Sequence, residues 1–221
     1  MATDIDFKAL KGVLYSAVLS DVLDGFGCPN QAMRPFVRPL DEGKVLFGRA
    51  RTGLYAHVYG VTEGRNPYEV EIALVDDLGT DDIVILACDG PTTRIAPWGE
   101  LLTTAARCRG AGGCVTDGLV RDVRHIRRLG FPVFHGGIGP LDTKGRAEMT
   151  ARDVPVECGG VRVEPGDLVF GDVDGVVVIP QALAAAVIET ALEKIHGENK
   201  TREHLEQGML LADVYARYGI L

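Results

Sequence analysis

The chain has 221 residues, 46% of them apolar and 24% charged, with a formal net charge of −8. Those proportions exclude a disordered or fibrous chain and are ample for one large hydrophobic core. The acidity argues against a general nucleic-acid binder, and no apolar run approaches the ~20 residues that a membrane span needs.

The first 25 residues read as helix, with Phe7, Leu10, Leu14, Ala17 and Val18 at helical spacing and Gly25-Phe26-Gly27-Cys28-Pro29 ending the run. Residues 45–60 read as extended, and 67–78 as a short helix carrying Val70, Ala73, Leu74 and Leu78. Ile83 to Ala87 is a buried strand by its β-branched run. A helix opens after Trp98-Gly99 and reaches about Arg109, where Gly110-Ala111-Gly112-Gly113 leads into the strand Cys114-Val115-Thr116. Asp117-Gly118 then reads as a turn. A helix is expected over Val120 to Leu129, then a strand Phe131 to Phe134. Several short strands fill 153–180, and 182–217 is mostly helix, interrupted near Gly197 and Gly208.

Asp82 to Gly90 and Asp167 to Gly175 share a frame, an Asp followed seven residues on by Asp-Gly. Strand-turn units with helices at both ends of the chain predict an α/β fold over one domain, 1–221. Its core is a mixed β-sheet or small β-barrel flanked by helices. The apolar content of 182–217 predicts subunit contacts through the C-terminal helices. The opening MATDIDFKAL has acids where a secretion signal has bases, so a cytoplasmic location is expected. Five cysteines without a CxxC pair argue against a disulfide framework or structural zinc, and most read as small buried hydrophobes.

Charge is unevenly spread. Residues 101–150 carry eight basic against four acidic side chains, a basic island in an acidic chain. Two pieces around it could carry chemistry. Gly99-Glu100-Leu101-Leu102 is a helix start, whose free amides favour anions. Arg121-Asp122 sets a cation beside a carboxylate at the start of a second helix. One carboxylate and several waters suit magnesium. Together the parts match an α-keto acid, which chelates a cation and develops enolate charge. The bland alternative stays open: Asp122 only favours a helix dipole, and Arg121, Arg124, Arg127 and Arg128 form a solvated face.

Other signals are weak. His135 to Gly139 lacks the dinucleotide spacing, and a loop or surface role is expected for His135. His125 is expected on the surface of the Arg121 helix. Every lysine lies in a polar context, which disfavours Schiff-base chemistry. Trp98 reads as a packing anchor.

The stretch WGELLTTAARCRGAGGCVTDGLVRDVRHIRRLGFPVF (98–134) closely resembles the RraA-like family, the regulators of ribonuclease E activity A. That family includes class II 4-hydroxy-4-methyl-2-oxoglutarate aldolases. Its mark is an acid, twenty intervening residues and Arg-Asp, met here by Glu100 and Arg121-Asp122. VEPGDLVFGDVDGVVVIP (163–180) and Ser20 to Asp24 resemble two further family blocks.

The resemblance implies an αββα-like fold, similar to swivelling phosphohistidine domains, in a homotrimer or hexamer. It implies a metal-dependent lyase that cleaves a 4-hydroxy-2-oxo dicarboxylic acid to pyruvate, with oxaloacetate decarboxylase activity. Asp122 would ligate Mg2+ or Mn2+, and Arg121 would bind the substrate and steady the enolate. The amides of Gly99, Glu100, Leu101 and Leu102 would hold the pyruvyl carboxylate. Glu100 would hold metal-bound water, a candidate base. A further acid would come from a neighbouring subunit, with Glu198 the best match and Glu193 a competitor. Two departures stand out: Glu at position 100 where the aldolases often have Asp, and the loop His135 to Asp142, expected to border the pocket. The alternative is a non-catalytic regulator that binds a ribonuclease or helicase partner.

Overall fold

The computed structural model describes residues 5–219. Residues 1–4, the start of the stretch read for a targeting signal, lie outside them. The chain runs α1 (Phe7–Leu10), α2 (Ser16–Gly25), β1 (Arg38–Pro39), β2 (Leu46–His57), α3 (Glu69–Asp76), β3 (Asp82–Ala87) and α4 (Glu100–Cys108). It continues with β4 (Gly113–Val120), α5 (Val123–Leu129), β5 (Val133–Ile138), β6 (Ala147–Arg152), β7 (Val156–Cys158) and β8 (Val161–Val163). Then follow β9 (Leu168–Gly171), β10 (Val176–Ile179), α6 (Ala184–Glu206) and α7 (Leu211–Tyr218).

The main sheet has the order β1-β5-β4-β3-β2-β9-β10, with β6 added along the second half of β2. Strands β2 to β5 in this order are parallel to their neighbours, and the other pairings are antiparallel. One segment reaches both outer edges. The Met33 amide donates to Val176 of β10 and the Gln31 carbonyl accepts from Val178, while Arg38 and Pro39 pair with β5. The sheet is thereby nearly closed into a mixed barrel flanked by helices, as the α/β expectation had it.

Period-two alternation sorts the strand residues between inside and outside. Ile83, Ile85, Val115, Phe134, Val169, Val176 and Val178 fill the barrel interior, joined by Cys158 and Val161 of the β7–β8 hairpin. That hairpin turns on Gly159-Gly160, both at positive φ (58° and 79°), which two-residue turns of this hand require. Val84 and Leu86 face outward under α3, α4 and α5, with Trp98 and Ile126. Phe47, Phe170, Val177 and Ile179 face α1, α2 and α6. Full burial of each such side chain is worth ~1.5–3 kcal/mol, so both helix layers are held by the strands' outer faces.

Several sequence expectations need correction. The first helix is two, broken at residues 11–15. The break lets buried Asp172 cap α2, accepting from the Ser16 amide at 2.8 Å and its hydroxyl at 2.7 Å. Asp117-Gly118 is not a turn between elements. It lies within β4, where the pairing with β5 shifts register between Thr116 and Leu119, so the turn propensity becomes a bulge. Consequently α5 begins at Val123, and Val120 is strand. Gly197 does not interrupt α6, which packs along α2; the break comes at Gly208, at positive φ. Cys88, Cys114 and Cys158 are buried, as expected, whereas Cys108 is exposed. Among the described residues, no helix is long and apolar enough to cross a membrane.

Candidate active site

Backbone pairing explains the spacing of Glu100 and Arg121-Asp122. Residues 95–98 run beside the end of β4: the Leu119 amide donates to Ile95 at 3.1 Å, and the Arg121 amide to Trp98 at 3.0 Å. Helix α4 is the crossover between these two parallel stretches. With β4 it therefore returns Arg121 and Asp122 to the residue from which α4 starts. Trp98 is the anchor, 1% exposed and stacked on Phe131.

Asp122 occupies the left-handed region (φ 59°), which Asp tolerates better than most residues. It precedes α5 but makes no side-chain cap there. Its Oδ2 instead accepts from the Glu100 amide, the first of α4, at 3.2 Å. Asp122 thus joins two helix starts, with its carboxylate at the positive end of α4. Gly99 has to be glycine for this approach: a Cβ there would lie 2.7 Å from Asp122 Oδ2 and 3.2 Å from Arg121 Cγ.

These groups open onto one cavity of about 320 Å³, the small end of ligand-site sizes. Gly99, Leu101, Leu102, Arg121 and Asp122 line it. The amides of Leu101 and Leu102 lie in the first turn of α4 and lack intrahelical acceptors. The Arg121 guanidinium is held by Asp142 Oδ1 at 3.3 Å, and the Tyr68 hydroxyl donates to Asp142 Oδ2 at 2.5 Å. Burial and that carboxylate push the Tyr68 phenol up to about 12. Arg121 Nε lies 3.9 Å from Asp122 Oδ2, so the neighbours do not form a bidentate pair.

Among the described residues, no three His, Cys, Asp or Glu side chains converge to cage an ion. One exposed carboxylate beside a glycine cradle matches a cation that keeps most of its waters, as magnesium does.

Two predicted site residues stand elsewhere. The Glu100 side chain is not part of this cavity wall; its Oε1 accepts from Thr104 Oγ1 at 3.0 Å along α4. Glu198 lies on α6, where it accepts from the hydroxyl of Tyr15, the residue before α2. That puts it in the helix layer over β9 and β10, away from the α3–α5 layer that borders the cavity. The loop expectation is divided: Asp142 does line the cavity, whereas His135 is buried in β5. Burial, with Arg127 nearby, pushes His135 down to about 4, so it is a neutral ring and not a surface or loop residue. His125 is on the α5 surface.

A family model described as RraA-like, Aldolase/RraA, matches residues 16–178. The chain belongs to the RraA-like family. A proposed 4-hydroxy-4-methyl-2-oxoglutarate aldolase of Halalkalibacterium halodurans is 31% identical over 90% of this chain and 88% of its own. An uncharacterized protein of Methanocaldococcus jannaschii is 34% identical, covering 88% and 92%. Among solved structures, a Streptomyces coelicolor protein described as an unusual member of the RNase ES inhibitor RraA protein family superposes with a TM-score of 0.80. It is 27% identical and covers 90% of this chain and 96% of its own.

Within this RraA-like site, sequence reasoning missed Tyr68 and Glu71. Glu71 had a signal: it shares a helical face with Leu74, Val75 and Leu78, so an acid sits in an apolar stripe. Tyr68 offered none, because only the tertiary fold brings it to Asp142.

Proposed function

We propose that this chain is a divalent-metal-dependent lyase. It would cleave a 4-hydroxy-2-oxo dicarboxylic acid, of the 4-hydroxy-4-methyl-2-oxoglutarate type, to pyruvate and a second keto acid. Oxaloacetate decarboxylation passes through the same enolate and belongs to the same reading. The observation that carries it is the convergence of Arg121, Asp122 and the start of α4 on one small cavity. The name of the Halalkalibacterium relative supports it.

Asp122 would hold Mg2+ or Mn2+, which supplies Lewis-acid stabilisation of the developing enolate charge. The amides of Leu101 and Leu102 face the substrate carboxylate, and Arg121 binds the keto oxygen. Asp142 and Tyr68 keep the guanidinium in place, so little reorganisation is needed as charge develops. Glu100 steadies α4 and the cation's surroundings from outside the wall.

Purified protein with magnesium or manganese is expected to release pyruvate, and EDTA to abolish the release. Asp122→Ala should lose at least about a hundredfold, within the range for removing one stabilising group at a reacting centre. Equal inertness of wild type and Asp122→Ala on both substrate types would sink the reading.

The same proposal takes the chain as a homotrimer or hexamer, with Glu198 reaching a neighbour's cavity. Sedimentation should show a species several times the 23.7 kDa chain mass. A monomer alone would remove both the assembly and the role of Glu198. The alternative is a regulator that binds a ribonuclease or helicase, and the description of the Streptomyces relative as a member of an RNase ES inhibitor family favours the ribonuclease. Retention of such a partner by wild type and Asp122→Ala alike, with no lyase activity, would select it.

A further inference from the structure

Glu71 is the unexplained group in the cavity wall. It lies on α3 and is only 8% exposed, yet it borders the same space as Gly99, Arg121 and Asp122. Its Oε2 accepts from the Tyr55 hydroxyl of β2 at 2.6 Å. Its Oε1 makes no hydrogen bond among the described residues. The neighbouring carboxylates are more exposed and each has a bond of its own: Asp142 with Tyr68 and Arg121, Asp122 with the α4 amide, Glu100 with Thr104. Glu71 is the buried one of these acids, and its Oε1 is open to a ligand.

We infer that Glu71 is the proton carrier of this pocket, taking the proton of the substrate's 4-hydroxyl and returning it to C3. The inference rests on the lyase reading above. In the first step the O–H proton goes to the Glu71 carboxylate. The freed electron pair makes C4=O, the C3–C4 bond breaks, and its pair forms the C2–C3 double bond of the enolate. In the second step Glu71, now a carboxylic acid, gives that proton to C3. Pyruvate forms and the carboxylate is restored, so no outside acid or base is consumed.

The surroundings suit both directions of transfer. Burial pushes the Glu71 carboxyl up to about 7; the Tyr55 hydrogen bond pulls it back, Asp142 raises it and Arg121 lowers it. Buried Cys88, also close by, is a thiol held protonated by burial and by Asp117. Tyr68, at the start of the same helix, is likewise held protonated. A proton carrier works best when its pKa lies near the working pH.

The test follows cleavage of 4-hydroxy-4-methyl-2-oxoglutarate and decarboxylation of oxaloacetate, with magnesium, from about pH 5 to pH 9. Wild-type cleavage should rise with pH through a limb near 7. Glu71→Gln should lose that limb and about 10²–10⁴-fold in kcat. Its decarboxylation should fall by much less than its cleavage, because loss of CO2 needs no proton removed from a hydroxyl and shares only the return of a proton to C3. Tyr55→Phe deletes a bond that favours the carboxylate, so the limb should move to higher pH. An infrared carboxyl band of the metal-free protein, titrating near neutrality, should be present in wild type and missing in Glu71→Gln.

Cleavage by Glu71→Gln at the wild-type rate with an unchanged limb would overturn the inference and leave the lyase reading standing. So would an unmoved limb in Tyr55→Phe. Wild-type protein inactive on both substrates would overturn the two together.

Discussion

Arg121→Ala should lower kcat for pyruvate release by about 10²–10³-fold, the usual effect of removing one preorganised group aimed at developing charge. The effect should fall on kcat more than on KM, because enolate charge is absent from the bound substrate. Arg121→Lys should recover only part of the loss. Lysine offers a point charge, whereas the guanidinium can bond Asp142 with one nitrogen and an incoming oxygen with another. Stability should barely change. The Arg121–Asp142 pair is about one-third exposed on both sides, and such pairs contribute ~0–1 kcal/mol. A variant with wild-type kcat, or one whose lost activity tracks lost folding, would contradict this. Steady-state kinetics beside a urea titration separates the two outcomes.

What could be read from the sequence follows from how the site is built. Glu100 and Arg121-Asp122 keep a fixed spacing because a single crossover unit, α4 followed by β4, leads away from Glu100 and back to it. A local distance in sequence thus becomes a distance in space. Tyr68 and Asp142 obey no such rule. One arrives on the segment leading into α3 and the other on the loop after β5, and their 2.5 Å contact is a product of the closed sheet. Glu71 falls between. Its place in an apolar stripe marks it as inward, but nothing local says that it faces a cavity instead of a core. The strands were legible where β-branched runs were buried on both faces, as in β3. β6 was missed because Ala147–Arg152 does not alternate: its first half is buried and its second half is exposed or half-buried. Asp117-Gly118 misled because turn propensity cannot tell a hairpin from a bulge.

Asp117→Ala should destabilise the protein by at least about 3 kcal/mol, at ~1–3 kcal/mol for each buried donor left without a partner. Asp117 is 2% exposed, and three backbone amides converge on its carboxylate: Cys88 at 2.7 Å, Gly90 at 3.0 Å and Gly159 at 3.3 Å. The bulge in β4 is thus tied to the loop after β3 and to the hairpin that plugs the barrel. Asp117→Asn should recover part of the loss, since an amide keeps one acceptor but turns N–H groups toward the remaining donors. Burial raises the Asp117 pKa, and the amide bonds only partly offset it. The folded protein therefore binds this proton more tightly than the unfolded chain. Stability from this group is fullest at low pH and falls as pH climbs from the unfolded value of ~3.9 through the folded one. The wild-type advantage over Asp117→Asn, measured by urea unfolding, should shrink across that window and level off above it. A constant difference, or an Ala variant within about 1 kcal/mol of wild type, would show that the amides find other partners. Lost stability should also reach the site, because β4 runs from Asp117 directly into Arg121 and Asp122. Asp117→Ala is therefore expected to weaken pyruvate release without touching the cavity.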